Sequence, residues 1–424
     1  MFTKNLTSAQ MNYVMGELTY RNTSRYSLSF LLHADNFYSY DAINNALNNL
    51  VENFDAYRIH ITTEQESPKQ YIEKFEFQYF PLVEFQDAKQ FENWINGQKN
   101  KCIFGFNQDL YEFKIVKKPD GNHSIFFLHH HTITDVWSIT HTVNYIAKTL
   151  IGQNMEDNSY SYISAVENEQ QYVASKRFEI DKNYWTNKLY NYEIVSYLPI
   201  LKSAGYTSLR NSYHLNEYEF NLLHKICSDF SISISTLFMS LVHLYISKLS
   251  NRNKNSVGLM LHNRSSEIEK SICGLFTNAL PLIVEINPEQ SVETFINLVK
   301  KENFSLLKHR KFPSHLLVEE MKDNNPLALV DWIISYQSVK YDSEITKAGF
   351  NDEWLINKET VFNTLNIHLS DRNNKNTLHI DYDFNTRYLS ASAVEHIHHS
   401  LMKILSQFHN NHDACLKDIE VDVI

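Results

Sequence analysis

The chain has 424 residues, which is long for one compact core and favours two domains or one large pair of fused lobes. Hydrophobic residues make up 43% and aromatic residues 13% of the sequence, a composition that excludes an intrinsically disordered chain. The net charge of −10 comes from 49 acidic and 39 basic residues without a block of Lys and Arg, which excludes nucleic acid as an expected partner.

Targeting signals and cysteine usage indicate the cellular compartment. No secretory signal is recognised in the N-terminal segment MFTKNLTSAQMNYVMGEL, which has no uninterrupted apolar core and no small-residue cleavage site. Nowhere do 18 apolar residues run together, so we expect no membrane-spanning helix and no membrane contact. The sequence therefore predicts a soluble cytoplasmic protein with reduced thiols, because its four cysteines are far apart and form no Cys-x-x-Cys pair: Cys102, Cys227, Cys273 and Cys415.

Helical and strand-like segments alternate along the first half of the chain. Apolar residues at positions i, i+3 and i+4 predict helices, and short apolar runs after turn residues predict strands. The predicted helices are Tyr40–Phe54, Asp87–Asn96 and Thr140–Leu150, and the predicted strands are Tyr57–Ile61 and His123–His131.

The second half repeats this alternation. A polar segment rich in Gln, Glu and Ser runs from Asn154 to Lys182, and the boundary between two lobes, 1–170 and 171–424, is predicted there. No short repeat is detected, so the pattern favours an α/β or α+β fold. The predicted helices are Leu222–Leu249, as one or two helices, and Ala391–Phe408, and the predicted strands are Ser256–Leu261, Ala279–Glu285, Leu329–Tyr336 and Leu416–Ile424.

One segment concentrates the chemistry-bearing side chains. It is HHHTITDVWS, residues 129–138, where a predicted strand gives way to a loop or helix. Side chains alternate along a strand, so His129 and His131 are expected on one face and His130 on the other. A neutral imidazole can accept a proton from an attacking amine, or orient it, when a neighbour fixes its tautomer.

Asp135 follows His131 by four residues, and two roles are open to it. Its carboxylate could fold back beneath the histidine, or it could pair with an arginine and brace the loop. We favour bracing, because a carboxylate beside a fixed arginine stays ionised and rigid, whereas a catalytic acid needs a raised pKa.

Spacing alone leaves three interpretations of the histidine run: structural, catalytic and metal-binding. The metal interpretation has His129 and His131 sharing a zinc ion, with His123 or Asp135 as a third ligand, although no Cys or Glu cluster completes the site and no metal is predicted. The sequence also lacks a Gly-x-Ser-x-Gly elbow, a phosphate-binding Gly-x-x-x-x-Gly-Lys loop and a Gly-x-Gly-x-x-Gly fingerprint. These absences argue against a nucleotide-dependent enzyme.

The segment from His130 to Ser138 resembles the His-His-x-x-x-Asp-Gly-Trp-Ser motif of nonribosomal peptide synthetase condensation domains. Further matches follow in the family's order across nearly the whole chain. They are Leu6–Gln10 (Ser-x-Ala-Gln), Tyr57-Arg58 (Leu-Arg), Tyr162 to Trp185 (the linker), Asn263-Arg264 (an Arg after a strand), Ile272–Pro281 (Gly-x-Phe-Val-Asn-Thr), His309–Pro313 (Gln-Asp-x-Pro-Phe) and Asp331–Gln337 (the following strand).

The resemblance implies a fold, an activity and partners. The fold would be two chloramphenicol acetyltransferase-like α/β lobes arranged as a V around a central tunnel. The activity would be amide-bond formation between a carrier-bound acyl thioester and an amine, either carrier-bound or free. Donor and acceptor carrier proteins would bring substrates on phosphopantetheine arms, and the chain itself would bind no cofactor.

The resemblance also implies roles for individual residues. His131 would be catalytic, with His130 directed into the structure and Asp135 bracing the loop through Arg58. Val136, Trp137 and Ser138 complete the motif, and tunnel or second-lobe motif positions are Gly274, Asn278 and Gln337.

The sequence departs from the family pattern in three motifs. Val136 stands where the motif has Gly, Asn53-Phe54-Asp55 replaces Arg-His-Glu, and Arg310-Lys311 replaces Gln-Asp. The branched Val136 side chain is expected to narrow the site or to alter the loop. These departures leave open a non-catalytic module that docks carrier proteins. A CoA-dependent N-acyltransferase of the same fold is a second alternative, because it would have the same His-x-x-x-Asp core.

Overall fold

A computed structural model describes most of the chain. The described residues are 3–35, 37–63, 67–119, 121–153, 160–190, 192, 196–201, 206–320, 329–337, 339–361, 363–371 and 377–424. The first six residues of the polar segment that starts at Asn154, residues 154–159, lie outside them.

Helices and strands are mixed along the described chain. The helices are α1 Ser8–Thr19, α2 Tyr40–Asn53, α3 Ala88–Gln98, α4 Val136–Leu150, α5 Tyr162–Val173, α6 Lys176–Leu189, α7 Glu217–Asp229, α8 Ile234–Ser250, α9 Glu267–Ser271, α10 Val292–Lys308, α11 Ser314–Glu320, α12 Ser343–Lys347 and α13 Ala391–Asn410. The strands are β1 Lys4–Asn5, β2 Ser27–Ala34, β3 Ile59–Thr62, β4 Lys69–Ile72, β5 Leu82–Glu84, β6 Tyr111–Lys117, β7 His123–His130, β8 Ser208–His214, β9 Lys254–Leu261, β10 Asn278–Glu285, β11 Trp332–Gln337, β12 Phe350–Leu355, β13 Leu365–Ser370 and β14 His379–Asn385.

The chain forms two compact units that do not follow a single cut in the sequence. Unit 1 comprises Met1–Ser175, His262–Thr277 and Val339–Thr360, and unit 2 comprises the remainder. The sequence-based division assigned both of the later segments of unit 1 to the second lobe.

Unit 1 is built around a five-stranded sheet in the order β12-β2-β7-β6-β5, beside a small sheet β1-β4-β3. All neighbours in the larger sheet are antiparallel except β5 and β6. Strand β7 lies at the centre and is buried along its whole length. Phe127 packs in the core shared with α2 and α4, whereas Phe126 packs in a second cluster with Ile95 of α3. Burial on both faces explains why β7 is a continuous apolar run in the sequence.

Unit 2 contains a six-stranded sheet in the order β10-β9-β11-β13-β14-β8. Strand β11 is parallel to both of its neighbours, and the other pairs are antiparallel. One face of the sheet packs in a core with α8, α10 and α13, to which Leu241, Val299 and Leu401 contribute. The alternation of buried Ile334 and Ile367 with half-buried neighbours fits a sheet covered by helices on that face.

One predicted strand is wrong. The segment Leu416–Ile424 forms a 3-10 turn at Leu416–Asp418 followed by irregular chain. Leu416 and Ile419, three residues apart, both enter the core of unit 2. A spacing of three fits a turn, whereas a strand would need buried residues at a spacing of two.

Among the described residues, no single helix is long and apolar enough to cross a membrane. Helices α7 and α8 pass that test only when they are taken together as a pair bent by 100°.

Candidate active site

The histidine segment lies where the central strand of unit 1 ends. Strand β7 stops at His130, a 3-10 turn spans His131–Ile133, and α4 begins at Val136 with Asp135 as its N-cap. Asp is a favoured N-cap, because its carboxylate accepts the backbone N–H groups that the first helical turn leaves unpaired. The predicted strand-to-helix junction is therefore present, and α4 starts four residues before the predicted helix.

His131 has one ring nitrogen fixed by the backbone. Its Nδ1 lies 2.9 Å from the carbonyl oxygen of Thr134, and its own backbone N–H donates to the carbonyl oxygen of Tyr26 at 2.8 Å. Because a carbonyl only accepts, Nδ1 must hold the proton and Nε2 the lone pair. Burial lowers the pKa of His131 to about 4, against the opposing effect of Asp135. The side chain is nevertheless only half-buried. The imidazole is thus neutral, and its Nε2 lone pair has no hydrogen-bond partner in the described part of the chain.

His130 is fully buried and has a different set of partners. Its Nδ1 accepts the backbone N–H of Thr132 at 3.2 Å, so Nε2 donates to Oε1 of the buried Glu17, also at 3.2 Å. Burial lowers the pKa of His130, although Glu17 acts in the opposite direction. These contacts fit the expected direction of His130 into the structure.

His129 lies in the aromatic core of unit 1. Its ring is near those of Phe30, Phe113 and Phe127, with centroids 5.5–5.9 Å away, and neither ring nitrogen has a hydrogen-bond partner among the described residues. Burial lowers its pKa to about 3.

His123, one of the two candidates for a third metal ligand, forms a hydrogen bond with Tyr38, whose carbonyl oxygen lies 2.9 Å from its Nδ1. Since a carbonyl accepts, His123 is the donor. Within the described part of the chain, no three His, Cys, Asp or Glu side chains cluster as metal ligands would.

Asp135 is fully buried and pairs with Arg264, not with Arg58 as expected. Arg264 Nη1 lies 2.7 Å from Oδ2 and Nη2 lies 3.1 Å from Oδ1, a bidentate contact. Oδ1 also accepts the backbone N–H of Ser138 at 2.9 Å, and Oδ2 that of Phe276 at 3.0 Å. Burial alone would raise the pKa of Asp135, but Arg264 and these donors hold it below its usual value. The bracing role favoured from the sequence fits this geometry.

Arg58 instead holds backbone carbonyls together. Its guanidinium donates to three backbone carbonyl oxygens, those of Val51 at 3.1 Å, Glu73 at 3.0 Å and Glu52 at 3.3 Å. It ends a 3-10 turn between α2 and β3, so it ties that turn to the end of α2. The prediction that Arg58 pairs with Asp135 is therefore wrong, because Arg264, which follows β9, forms that ion pair.

Ser138 and Gly274 join α4 to the segment 262–277. The Ser138 hydroxyl accepts the N–H of Gly274 at 2.9 Å and lies 2.8 Å from its carbonyl oxygen, which also accepts from Arg264 at 3.1 Å. Gly274 has φ +149°, and a Cβ there would lie 2.1 Å from the Tyr162 ring. Gly274 thus belongs to unit 1 and supports the Asp135 loop, whereas the sequence placed it in the second lobe.

Trp137 and Val136 occupy the first turn of α4. The Trp137 indole donates to the carbonyl oxygen of Lys270 at 2.9 Å, and its ring lies 4.7 Å from that of His262. Val136 is half-buried, and its φ is not positive. The backbone at Val136 therefore does not require glycine.

Asn278 and Gln337 belong to unit 2. Asn278 Nδ2 donates to the carbonyls of Arg310 at 2.9 Å and Phe312 at 2.8 Å, while its Oδ1 accepts the N–H of Ser314 at 3.1 Å. This buried amide therefore fixes the turn between α10 and α11. Gln337 is half-buried at the end of β11, opposite Ser370.

Two neighbours of His131 were missed by the sequence reasoning. The Tyr13 ring of α1 stacks on the imidazole with centroids 4.5 Å apart and an interplanar angle of 21°. The Thr134 carbonyl, which fixes the tautomer, belongs to the motif but contributes only a backbone atom. Tyr13 lies 118 positions before His131, so no local spacing indicates their contact. Arg264 was noted in the sequence only as an arginine after a strand, and its pairing with Asp135 was not predicted.

Known proteins resemble this chain over almost its full length. The family model described as condensation domain matches residues 3–421. The chain is 26% identical to surfactin synthase subunit 1 of Bacillus subtilis (strain 168) and 21% identical to tyrocidine synthase 2 of Brevibacillus parabrevis. These matches cover 94% and 89% of this chain but only 12% and 11% of the relatives, so the chain spans less than a fifth of their length.

Solved structures share the fold. The first condensation domain of the calcium-dependent antibiotic synthetase superposes with a TM-score of 0.85 at 16% identity, over 100% of this chain and 99% of that one. The condensation domain of the monacolin K polyketide synthase MokA gives a TM-score of 0.87 at 13% identity, over 98% and 99%. These matches confirm the predicted α/β fold, and the family match confirms the predicted family. The chain therefore belongs to the condensation domain family, whose members are acyltransferases that form amide bonds in nonribosomal peptide synthesis.

Proposed function

We propose that this chain joins a carrier-bound acyl thioester to an amine, with Nε2 of His131 facing the attacking nitrogen. The observation that carries the proposal is the hydrogen bond from Nδ1 to the Thr134 carbonyl, which leaves the lone pair on Nε2 of a half-buried ring, without a hydrogen-bond partner among the described residues. A base that a third group orients is the usual arrangement for activating a nucleophile.

The reaction forms one bond and breaks one. The amine nitrogen attacks the thioester carbonyl carbon, the C–N bond forms, the C–S bond breaks, and the thiol leaves with a proton. Nε2 accepts the amine N–H, either as a hydrogen bond that orients the nitrogen or as a full proton transfer. Both roles need the neutral imidazole that the buried site favours.

The pH dependence of the rate of amide formation is expected to follow the pKa of the acceptor amine. Because burial lowers the pKa of His131 to about 4, the imidazole is neutral throughout the neutral range. An ammonium acceptor must lose a proton before it attacks, so the rate is expected to rise with pH according to the pKa of the acceptor. A histidine with the reference pKa of about 6.5 in place of His131 would add a second rise of the rate near that pH.

Carrier proteins are the proposed partners. The similar proteins are synthetases several times longer than this chain, and surfactin synthase subunit 1 is one of them. Donor and acceptor carriers would deliver their substrates on phosphopantetheine arms, and the chain would hold no cofactor of its own. Acyl-CoA is the alternative donor, favoured by the similar fold of a rhizomide synthetase starter condensation domain in complex with C8-CoA, with a TM-score of 0.85 at 16% identity over 99% of this chain and 98% of that one.

Replacing His131 by Ala is expected to lower the rate of amide formation about a hundredfold or more, because the oriented lone pair is lost. Intact-protein mass spectrometry of an acyl-loaded carrier protein, incubated with the chain and a panel of amines, measures the product. His399→Ala is a matched control, since the His399 side chain is 70% exposed on α13. Acyl-CoA in place of the loaded carrier tests the alternative donor.

Two outcomes would contradict this proposal. Equal amide formation by wild type and His131→Ala would exclude the role of His131. Background hydrolysis alone in both proteins, with carrier binding retained, would favour a docking module.

Replacing Val136 by Gly is expected to keep or raise the rate of amide formation. The change removes a half-buried side chain from the first turn of α4, where the backbone needs no glycine. A helical glycine costs about 1 kcal/mol relative to alanine, so a small loss of stability should accompany the change. The same carrier assay and a thermal unfolding curve measure both effects. A tenfold or greater loss of rate, in a folded variant, would mean that the valine itself supports the loop.

A further inference from the structure

The imidazole of His131 forms its hydrogen bond with Thr134 at the Nδ1 edge of the ring. The bond from Nδ1 to Thr134 fixes one edge of the imidazole but leaves the ring free to rock about that contact. Torsions that end in a planar ring are broad, so one hydrogen bond does not fix the plane. Since the direction of the Nε2 lone pair follows the plane of the ring, a second constraint is needed.

The Tyr13 ring supplies that constraint. It stacks on one face of the imidazole, 4.5 Å between centroids and 21° from parallel. Such a contact opposes rotation of the ring out of its plane, because any rotation loses overlap and separates two apolar faces. The Nε2 edge stays uncovered by this contact.

Tyr13 is itself held in place by Tyr26. The two rings meet edge to face at 5.0 Å and 88°, and the Tyr26 carbonyl accepts the backbone N–H of His131. One residue therefore positions both members of the stack. Gly16, one turn after Tyr13 on α1, makes room for Tyr26, because a Cβ there would lie 2.3 Å from the Tyr26 hydroxyl oxygen.

Helix α1 is also tied to the turn that contains His131. Gln10 donates from Nε2 to the carbonyl oxygen of Thr132 at 3.2 Å, and its Oε1 accepts the backbone N–H of Thr7 at 3.0 Å in a capping box. The helix that presents Tyr13 is thus fixed relative to the 3-10 turn at His131–Ile133.

We infer that Tyr13 is a positioning residue for amide formation, whose flat ring holds the imidazole of His131 so that Nε2 faces the acceptor amine. This inference rests on the proposed function of His131. Tyr13 acts on the reaction only through His131, and it does so by the contact of its aromatic ring and not by its hydroxyl group.

The test compares Tyr13→Leu, which keeps an apolar side chain but no flat ring, with Tyr13→Phe, which keeps the ring. Tyr13→Leu is expected to lower kcat about tenfold or more with KM changed by less than about threefold, whereas Tyr13→Phe stays within about threefold of wild type. Tyr218→Leu is the control, because Tyr218 is 65% exposed on α7. Thermal unfolding curves establish that each variant is folded.

A spectroscopic measurement separates positioning from general damage. Imidazole 15N shifts of His131, assigned by their loss in His131→Ala, report which nitrogen holds the proton. Wild type and Tyr13→Phe are expected to show the Nδ1–H form, and Tyr13→Leu a mixture of both tautomers, because a rocking ring loses the Thr134 bond for part of the time.

Either of two results would overturn the inference: unchanged kcat and 15N shifts in Tyr13→Leu, or equal loss of kcat in Tyr13→Phe and Tyr13→Leu. Failure of the proposed function is a separate result, namely full activity of His131→Ala. In that case the 15N shifts of Tyr13→Leu still report whether Tyr13 fixes the ring.

Discussion

Arg264→Leu is expected to destabilise unit 1 by about 3–5 kcal/mol, because it leaves the Asp135 carboxylate buried without its counter-ion. Both residues are almost fully buried, and Arg264 also donates to the carbonyl oxygen of Gly274 at 3.1 Å. The variant therefore loses an ion pair and one anchor of the segment 262–277 together. Urea or thermal unfolding followed by circular dichroism measures the loss.

The control for this prediction is Arg252→Leu, an exposed arginine after α8, which should change stability by about 0.5 kcal/mol or less. A double-mutant cycle with Asp135→Asn is the second control. The double variant should lose less stability than the sum of the losses in the two single variants, because no unpaired charge remains. A loss below about 1 kcal/mol in Arg264→Leu would show that the pair contributes little.

The stability lost in Arg264→Leu should also depend on pH, in a direction that follows from the burial of Asp135. In the wild type, the pKa of Asp135 is held below its usual value, so the ion pair is complete in the neutral range and is lost as pH falls through that pKa. Without Arg264, burial raises the pKa of Asp135 instead, and protonation relieves the buried charge. The stability difference between wild type and variant should therefore be smaller at pH 5 than at pH 8.

Gly274→Ala is expected to destabilise the protein by about 3 kcal/mol or more. The added Cβ would lie 2.1 Å from the Tyr162 ring, and φ +149° is a conformation that side chains other than glycine rarely adopt. Tyr162 cannot retreat easily, because it is fully buried and its hydroxyl donates to the Leu275 carbonyl at 2.6 Å. A thermal unfolding curve measures the effect.

Gly97→Ala is the matched control for the change at Gly274. Gly97 lies on the exposed side of α3, and a Cβ there meets nothing within 4 Å. Alanine in a helix is favoured over glycine by about 1 kcal/mol, so this variant should be as stable as wild type or more so. An unfolding temperature of Gly274→Ala equal to that of wild type would mean that the loop rearranges at no cost.

Elements with a clear apolar period could be predicted from the sequence. The helix predicted over Tyr40–Phe54 corresponds to α2 at Tyr40–Asn53, and the apolar run His123–His131 to β7 at His123–His130. Leu222–Leu249 resolves into α7 and α8, and a short connection at 230–233 separates them. These patterns are local, because each depends on burial of one helix face or of a whole strand.

The contacts that complete the site could not be predicted in the same way. The four-residue spacing of His131 and Asp135 is visible in the sequence, and the N-cap position of Asp135 follows from its residue type. Its partner depends on which arginine the fold brings near, and Arg58 and Arg264 were both available. The stacking of Tyr13 likewise depends on tertiary packing.

The division of unit 1 into three chain segments affects how the protein is made. Asp135 and Arg264 are 129 residues apart, and β12, which pairs with β2 at the edge of the five-stranded sheet, ends only at Leu355. At ribosomal rates of 5–20 residues per second, Asp135 waits about 6–26 s for Arg264 to be synthesised. The nascent first half therefore emerges with an uncompensated carboxylate and an open sheet edge, and it cannot finish folding until later segments of the chain arrive.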